Sequence, residues 1–434
     1  MNWGVIIVVA GFVIHLNLVG LLYSYNLLHI QLKDSFNSTA TEAGLPGSIS
    51  IAIYAASSLP VTWVFQRIGN RPAGLLGILI CCFSLLSSSF IHRIWLLYLT
   101  YGVLYGLGCN AIHLVTIDLI MVYFKDGHSA RSIGIILTGS SVGVLLSPCL
   151  EWLYTTYNWR VTLRILSTLF AVICIPCIAV FRDIRKKHSK LSSTTSKEKL
   201  PEELPRKDSL LQKYFHLLRR SDFHCMMSAY AMTGIATTFS YISIGSYLQS
   251  SGMAGSAISL TFSLMAVGDL VARIVLSIIS DWLPMSLTSQ YAIMHIMSAL
   301  STVFLPYIFN LTFVKILLIV FGISRGGLFV LLTSAPIEIA PKNLGVEGVG
   351  LAYLIFGTCA LSTPYMTDKL YDITGSYDSA FFICSALYIF AAIILFLSAH
   401  LKWKKERNTY IDSNSEVTDR MLLKQEEVTK VTVV

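Results

Sequence analysis

Long apolar runs separated by short polar links dominate this chain. Runs of about 20 residues match the length at which a helix crosses the hydrocarbon core of a bilayer. We read the first run as a retained helix, because no charged segment precedes it and no small-residue cleavage site follows it. The pattern therefore predicts an all-α membrane protein with twelve transmembrane helices, at residues 4–31, 46–66, 72–92, 96–124, 131–154, 161–181, 223–249, 256–281, 287–309, 314–337, 345–368 and 379–401.

One polar segment interrupts this series and divides the spans six and six. Residues 182–222 are rich in charge and serine, which is typical of a disordered linker, and a short amphipathic stretch at 210–220 is expected to lie on the membrane. We predict an N-terminal six-helix half at 1–181, a cytoplasmic linker at 182–222, a C-terminal six-helix half at 223–402 and a cytoplasmic tail at 403–434. This layout resembles the major facilitator fold, in which two halves enclose a site near the midplane.

Composition excludes several classes of protein. The 434 residues are 54% hydrophobic and only 13% charged, whereas a soluble chain is about a quarter charged. The net charge of +8 does not indicate nucleic acid as a partner, because the basic residues flank the predicted membrane helices. Almost all of the nine cysteines lie in apolar runs, including Cys174 and Cys177, where thiolate or metal chemistry is unfavourable. We predict no metal, no cofactor, no ATP-binding loop and no enzymatic site.

The distribution of positive charge predicts orientation. Most of the 32 Lys and Arg residues fall on segments that share a side with both chain ends, which places both termini in the cytoplasm. The two glycosylation sequons, at Asn37 and Asn310, fall on the opposite side. These two signals agree, so we expect a multi-pass membrane protein with both termini in the cytoplasm.

The eighth predicted span carries two charged residues, Asp269 and Arg273. An ionisable group at bilayer depth costs about 2.5–3.5 kcal/mol, so it is seldom there without a role. A spacing of four lets the two side chains meet on a helix. Arg325 lies near the middle of the tenth span, so one positive charge is left over, which a small organic anion would balance by binding a guanidinium through its carboxylate. In the alternative interpretation, Asp269 bridges both arginines and locks the C-terminal half.

Polar side chains also interrupt the first span, which we expect to face a watery cavity rather than lipid. His15 and Asn26 are three turns apart and share a face of a regular helix, with Tyr23 turned partly aside. His15 would then titrate near neutral pH, or else be a hydrogen-bonded packing histidine. The polar residues of this span are His15, Asn17, Tyr23, Tyr25 and Asn26.

The fourth span adds further polar groups. Asn110 and His113 are candidates for the same cavity, whereas Asp118 lies nearer the interface and is expected to cap or pair structurally. Arg164, a few residues inside the sixth span, is expected to extend its charged end to the interface.

Four stretches resemble signatures of the monocarboxylate transporter family, and the resemblance extends over nearly the whole chain apart from the linker and tail. Trp3-Gly4 with the apolar run to Phe12 resembles the first-helix signature, and DLVAR at 269–273 is similar to the eighth-helix motif. The other two lie at the junction of the fourth and fifth spans and between the last two spans. They read Tyr123-Phe124…Gly134…Gly139-Ser140-Ser141-Val142-Gly143 and LYDITGSYDSAFF at 370–382.

The resemblance implies a substrate class and roles for particular residues. Members of the family move lactate, pyruvate, ketone bodies or, in some branches, aromatic amino acids and thyroid hormones, and some need a single-span glycoprotein partner. By position, Asp269 would be the proton-linked carboxylate and Arg273 would hold the substrate carboxylate. Tyr23 stands where lactate-type members carry a lysine, and the usual basic pair is replaced near His128 and Ser129. These departures weigh against proton-coupled lactate transport and indicate a divergent, orphan-like member.

The sequence and the resemblance together thus predict a secondary transporter that moves a monocarboxylate or related small organic anion across the plasma membrane by alternating access. Two alternatives stay open: a proton-independent facilitator of aromatic amino acids or similar solutes, and a solute sensor that does not transport. The expected partners are the lipid bilayer, the anion, a proton if transport is coupled, and a glycoprotein chaperone if this chain needs one. The expected site comprises Asp269 for proton coupling and, for the substrate, Arg273, Tyr23, Arg325, His15 and Asn26.

Overall fold

The structure is a computed structural model that describes residues 3–38, 40–124, 129–181, 210–250, 253, 255–280, 282–307, 310–341, 344–363, 370, 374, 376 and 378–432. At some positions within these ranges, including Asn26, it describes the backbone alone. Most of the predicted linker, residues 182–209, lies outside the described residues, as does His128.

The first part of the chain is a series of helices. Two wider, π-helical turns, His15–Val19 and Tyr98–Tyr105, connect α1 to α2 and α7 to α8. The helices are α1 Trp3–Ile14, α2 Gly20–Tyr23, α3 Tyr25–Phe36, α4 Ala40–Ala56, α5 Ser58–Ile68, α6 Asn70–Ser88, α7 Ile94–Leu97, α8 Gly106–Tyr123, α9 Ser129–Leu145 and α10 Ser147–Ala179.

The second part is likewise helical, and the described residues form no strand, so the all-α prediction is confirmed. A 3₁₀ turn, Leu305–Tyr307, follows α14. The helices are α11 Leu210–Leu218, α12 Ser221–Ser250, α13 Gly255–Ile279, α14 Leu287–Phe304, α15 Leu311–Ile339, α16 Gly345–Ala360 and α17 Asp378–Thr432. Among the described residues, seven helices are long and apolar enough to cross a membrane, or eight if the bent pair α4–α5 counts as one span.

Two breaks have local causes. The α4–α5 span bends by 56°, next to Pro60, whose missing N–H leaves the Ala56 carbonyl without its helical donor. Within α10, Asn158 adopts a left-handed conformation with φ 68°, and the Thr162 hydroxyl donates to the Leu153 carbonyl at 3.0 Å. A straight helix would place those two residues about 13 Å apart. The chain therefore folds back at Asn158, between the fifth and sixth predicted spans.

Small residues set the closest helix packing. A Cβ atom at Gly20 would lie 2.7 Å from the Cα atom of Gly143, so α2 and α9 approach almost backbone to backbone. Gly106 approaches the backbone of α4 at Ser50 in the same way.

Contacts between the two parts of the chain follow two seams: α9 packs against α13, and α4 and α5 pack against α16. One end of the bundle contains the C-terminal end of α5, the helix α11 and the N-terminal end of α16. We call it the linker end. Here Met121 of α8 lies against Gly345 of α16, and Gly134 of α9 lies against Ser277 of α13. The bundle is therefore closed at the linker end.

The amphipathic stretch predicted at 210–220 forms helix α11, but it does not simply lie on the membrane. Leu217 is fully buried against the bundle, whereas Phe215 on the other side of the helix is 69% exposed. Helix α11 packs on α12 and α16. One face of α11 is therefore part of the protein interior.

Candidate functional site

Asp269 and Arg273 form a buried ion pair on one face of α13. The Nε atom of Arg273 lies 3.0 Å from Oδ2 of Asp269, and its Nη2 atom lies 3.4 Å from Oδ1. Residues four apart on a helix are neighbours on its surface, so α13 alone creates this contact. The two residues are only 4% and 3% exposed, respectively, which removes water as a partner for either charge.

Arg325 joins the pair from α15. Its Nη1 atom lies 3.4 Å from Oδ1 of Asp269. Glycines make this approach possible: a Cβ atom at Gly326 would overlap the Asp269 backbone, and one at Gly322 would overlap that of Met265. The structure thus brings together the three charged residues predicted to share a site, and the carboxylate of Asp269 bridges both guanidiniums. Two cations and one anion leave this group, which we call the charged cluster, with one excess positive charge.

Helix α9 closes the charged cluster from the other half. The hydroxyl of Ser141 donates to Oδ2 of Asp269 at 3.1 Å. The Nη1 atom of Arg273 donates to the Ser140 hydroxyl at 3.2 Å and to the Leu137 carbonyl at 3.4 Å. Our sequence reasoning did not assign roles to the two serines, although they lie in the second family signature. The charged cluster is therefore a contact between the halves as well as a contact within the second half.

The two arginines differ in access. The side chain of Arg273 is 4% exposed and points across the α9–α13 seam, whereas that of Arg325 is 19% exposed. Arg325 is therefore the more accessible of the two guanidiniums. The hydrogen bonds from Arg273 to Ser140 and Leu137, at 3.2 and 3.4 Å, are longer and weaker than contacts near 2.9 Å.

Aromatic rings border the charged cluster. The ring centre of Phe329 lies 5.2 Å from the guanidinium carbon of Arg273 and 5.2 Å from that of Arg325. Cations within about 6 Å of an aromatic face are attracted to it. The Phe329 ring also contacts the rings of Tyr23 and Phe356, each at 6.2 Å between centres. The structure therefore places Tyr23 beside the charged cluster, one ring away from the guanidiniums.

His15 is placed in a second group of rings. Its Nδ1 atom lies 2.9 Å from the Gly11 carbonyl and its Nε2 atom 3.3 Å from Nδ1 of His113. Because a carbonyl only accepts, Nδ1 of His15 carries hydrogen, and in the neutral ring Nε2 accepts from His113. The ring of His113 in turn lies 4.8 Å from that of Tyr353 and 5.5 Å from that of Tyr54. This is the hydrogen-bonded, packed arrangement rather than a histidine facing water.

The shared face expected for His15 and Asn26 rested on a regular helix between them. The chain instead has the π-helical turn His15–Val19 and a break at Ser24, with φ −93° and ψ 16°, so the period of 3.6 residues does not apply. The side chain of Asn26 lies outside the described residues.

The other polar residues of the first half have structural partners. Asp118 accepts a hydrogen bond from Asn70 at 2.6 Å, as expected of a structural pair. Asn110 donates to the Tyr54 carbonyl and to Ser58. Arg164 is exposed and donates to Ser89 at 3.1 Å. Among the described residues, no group of three or more His, Cys, Asp or Glu side chains could hold a metal ion.

Comparison with solved structures supports the architecture. The proton:xylose symporter XylE, solved with 6-bromo-6-deoxy-D-glucose, superposes with a TM-score of 0.67 at 12% identity over 91% of this chain and 96% of that one. The Escherichia coli fucose:proton symporter FucP superposes with a TM-score of 0.63 at 12% identity, over 89% and 98% of the two chains. At these identities the likeness shows the fold alone.

Sequence comparison identifies the family. The profile of the Major Facilitator Superfamily matches residues 7–364. Relatives include mouse monocarboxylate transporter 11 (24% identical over 91% of this chain and 87% of that protein), rat monocarboxylate transporter 13 (23%, 92% and 90%) and human monocarboxylate transporter 2 (23%, 94% and 88%). The multi-pass helical fold and these relatives indicate a transporter and not an enzyme. The chain therefore belongs to the Major Facilitator Superfamily and is a divergent relative of the monocarboxylate transporters.

Proposed function

We propose that this secondary transporter carries a monocarboxylate or related small organic anion across the plasma membrane by alternating access. The observation that carries this proposal is the charged cluster: two arginines share one buried carboxylate at the seam between the halves. A carboxylate on the substrate would neutralise the excess charge and accept two hydrogen bonds from one guanidinium.

The contacts around the charged cluster support a route for the anion. Arg325 is the more accessible cation and would be reached first, and Arg273 would then exchange its hydrogen bonds to Ser140 and Leu137 for the substrate. Those hydrogen bonds cross the α9–α13 seam. Binding would therefore weaken a contact between the halves, and a ligand shifts a conformational equilibrium only through such differential contacts.

Asp269 is our candidate for coupling to protons. Its carboxylate contacts both arginines, so a substrate that binds one guanidinium leaves Asp269 with fewer charged partners. A neighbouring cation favours the ionised form of a carboxylate, and losing that cation favours protonation. Substrate and proton would then bind together.

The direct test is radiotracer uptake into cells expressing the chain, with pyruvate, lactate, butyrate, tryptophan and thyronine, each at two external pH values. Arg273→Gln should abolish uptake of whichever anion is carried. Arg164→Gln is the matched control, because that arginine is also in a membrane helix but is exposed and bonds within the first half. Unchanged uptake by Arg273→Gln would overturn the site assignment.

A second candidate is a proton-independent facilitator of aromatic amino acids or similar solutes. The Phe329 ring beside the guanidiniums and the rings of Tyr23 and Phe356 next to it favour this candidate, because they offer an aromatic substrate a stacking surface. Tryptophan uptake that is flat across pH would select this candidate. Binding of solute to reconstituted vesicles without net flux would instead indicate a sensor.

We also propose that both termini face the cytoplasm. The indole nitrogen of Trp3 donates to the Val180 carbonyl at 3.2 Å, so the start of α1 lies at the same end of the bundle as the start of the linker. Epitope tags at each terminus should become accessible to antibody only after permeabilisation. Surface expression with and without a co-expressed single-span glycoprotein would decide whether such a partner is needed.

A further inference from the structure

A buried carboxylate at the linker end joins three parts of the chain. Glu347, in the first turn of α16, is 3% exposed. Its Oε1 atom lies 2.8 Å from Nζ of Lys213 on α11 and accepts a hydrogen bond from the side-chain amide of Gln66 on α5 at 2.8 Å. Helix α5 belongs to the first half and α16 to the second, while α11 follows the linker. One oxygen atom thus connects both halves and the linker helix.

The position of Glu347 explains why it needs these partners. A carboxylate in the first turn of a helix is favoured by the helix dipole, but a buried charge also needs a cation or strong hydrogen bonds. Lys213 supplies the positive charge. Lys213 and Gln66 share the same carboxylate oxygen, and hydrogen bonds to charged acceptors are stronger than those between neutral groups. The contact between the halves through Gln66 thus depends on the linker helix.

Helix α11 also comes close to the first half at Gly350 of α16. The Tyr214 hydroxyl and the Thr62 hydroxyl of α5 both border Gly350, at 3.7 and 3.6 Å from the position a Cβ atom would take there. Burial raises the pKa of Tyr214, so its phenol stays protonated and the charges at this point are those of Lys213 and Glu347.

The far end of α11 is fixed to the second half. Arg220 forms an ion pair with Asp222 at the start of α12, with its Nε atom 3.0 Å from Oδ1. The Asp222 carbonyl in turn accepts from Ser398 of α17 at 2.9 Å. Fully buried Leu217 adds an apolar anchor between these two ends. The linker helix is therefore held on the second half and places Lys213 and Tyr214 where α16 meets α5.

We propose that α11 is a latch that holds the two halves together at the linker end, through Lys213, Glu347 and Gln66. Every transport cycle that opens this end must break the Gln66–Glu347 hydrogen bond. The strength of the latch then sets how often the linker end opens, and changes in the linker can alter transport without touching the substrate site. The consequence for transport rests on the proposed alternating access, whereas the latch itself can be tested without a substrate.

The test is hydrogen–deuterium exchange of the full chain in lipid nanodiscs, comparing backbone amides at the linker ends of α5 and α16. Gln66 is exposed, so its substitution leaves the interior intact. Gln66→Glu places a second carboxylate beside Glu347 and should raise exchange at both helix ends at least about fivefold, the lower range of coupling between two sites. Gln66→Lys adds a cation and should lower it. Lys213→Glu should raise exchange, and combining it with Glu347→Lys should restore it.

The matched control is Lys402→Ala. Lys402 and Glu338 form an ion pair at 3.3 Å within the second half, with side chains 21% and 20% exposed. Its loss should leave exchange at α5 unchanged. The proposal is overturned if Gln66→Glu and Gln66→Lys give the same exchange rates, or if adding Glu347→Lys to Lys213→Glu fails to restore protection. It is also overturned if Lys402→Ala raises exchange at α5 as much as Lys213→Glu does. If exchange follows the latch but no anion is taken up, the proposed function fails and the latch stands.

Discussion

The hydroxyl of Ser141 on α9 donates to Oδ2 of Asp269 on α13 at 3.1 Å. The same oxygen atom receives Nε of Arg273 at 3.0 Å. Oδ2 of Asp269 thus takes part both in the ion pair within the second half and in a hydrogen bond between the halves. A change at Asp269 is therefore expected to affect stability and the contact between the halves together.

Asp269→Asn should destabilise the protein strongly, because it leaves two guanidiniums facing each other without their anion. Removing one partner of a buried ion pair costs about 3–5 kcal/mol. The measurement is the thermal unfolding of the purified chain in detergent. Glu338→Gln is the control, since its pair with Lys402 is about 20% exposed and pairs near the surface contribute about 1 kcal/mol or less. Equal melting temperatures for the two variants would contradict the prediction.

Ser141→Ala should cost less and should depend on Asp269. A hydrogen bond to a charged group contributes about 1.5–3 kcal/mol, and alanine leaves the carboxylate with its two arginines. In the background of Asp269→Asn, the same substitution should have a smaller effect, which a double-mutant cycle of melting temperatures measures. Additive effects of the two substitutions would mean that the Ser141 contact contributes nothing through Asp269.

Gly326→Ala should separate α13 from α15 and weaken the contact of Arg325 with Asp269, because a Cβ atom there overlaps the Asp269 backbone. Overpacking of this kind typically costs about 1–3 kcal/mol. Gly350→Ala is the control: the nearest atoms to its Cβ position are 3.6 Å away, so alanine fits. We expect a lower melting temperature for Gly326→Ala and no loss for Gly350→Ala. A stable Gly326→Ala variant would show that the glycine is not needed for this approach.

Phe329→Leu should change substrate preference more than overall transport. The ring faces both guanidiniums at 5.2 Å, and leucine keeps an apolar side chain while removing the aromatic face. Stacking of two aromatic rings is worth about 0.5–1.5 kcal/mol, so uptake of an aromatic substrate should fall about 2- to 13-fold relative to that of butyrate. The control is Phe321→Leu. Phe321 is a buried phenylalanine on the same helix, without a guanidinium contact among those described. An equal loss for both substrates would exclude a selective role for Phe329.

Hydropathy and charge pattern were enough to predict the class of protein. A span of about 20 apolar residues has few alternatives to a membrane helix, because hydrocarbon offers the backbone no other hydrogen-bond partners. The same reasoning singled out Asp269, Arg273 and Arg325, since charge at that depth is costly wherever the helix points. The family signatures led to the monocarboxylate transporters, and the relatives agree with that assignment.

Local irregularity of the backbone is what the sequence reasoning did not predict. The pairing of His15 with Asn26 assumed an unbroken period of 3.6 residues, but the π-helical turn His15–Val19 and the break at Ser24 change the register. Nothing in the residue types of His15–Val19 marks a π-helical turn, because its formation depends on how the neighbouring helices pack.

The sequence by itself determined that this chain spans a membrane as helices and that three charges lie at depth within it, because burial of apolar side chains and the cost of buried charge are set residue by residue. Only the tertiary structure decided which partners those charges have. Ser140 and Ser141 face Arg273 and Asp269, and Gln66 and Lys213 face Glu347, through contacts between residues far apart in the chain. Such contacts depend on how whole helices pack against one another, and no local pattern encodes that packing.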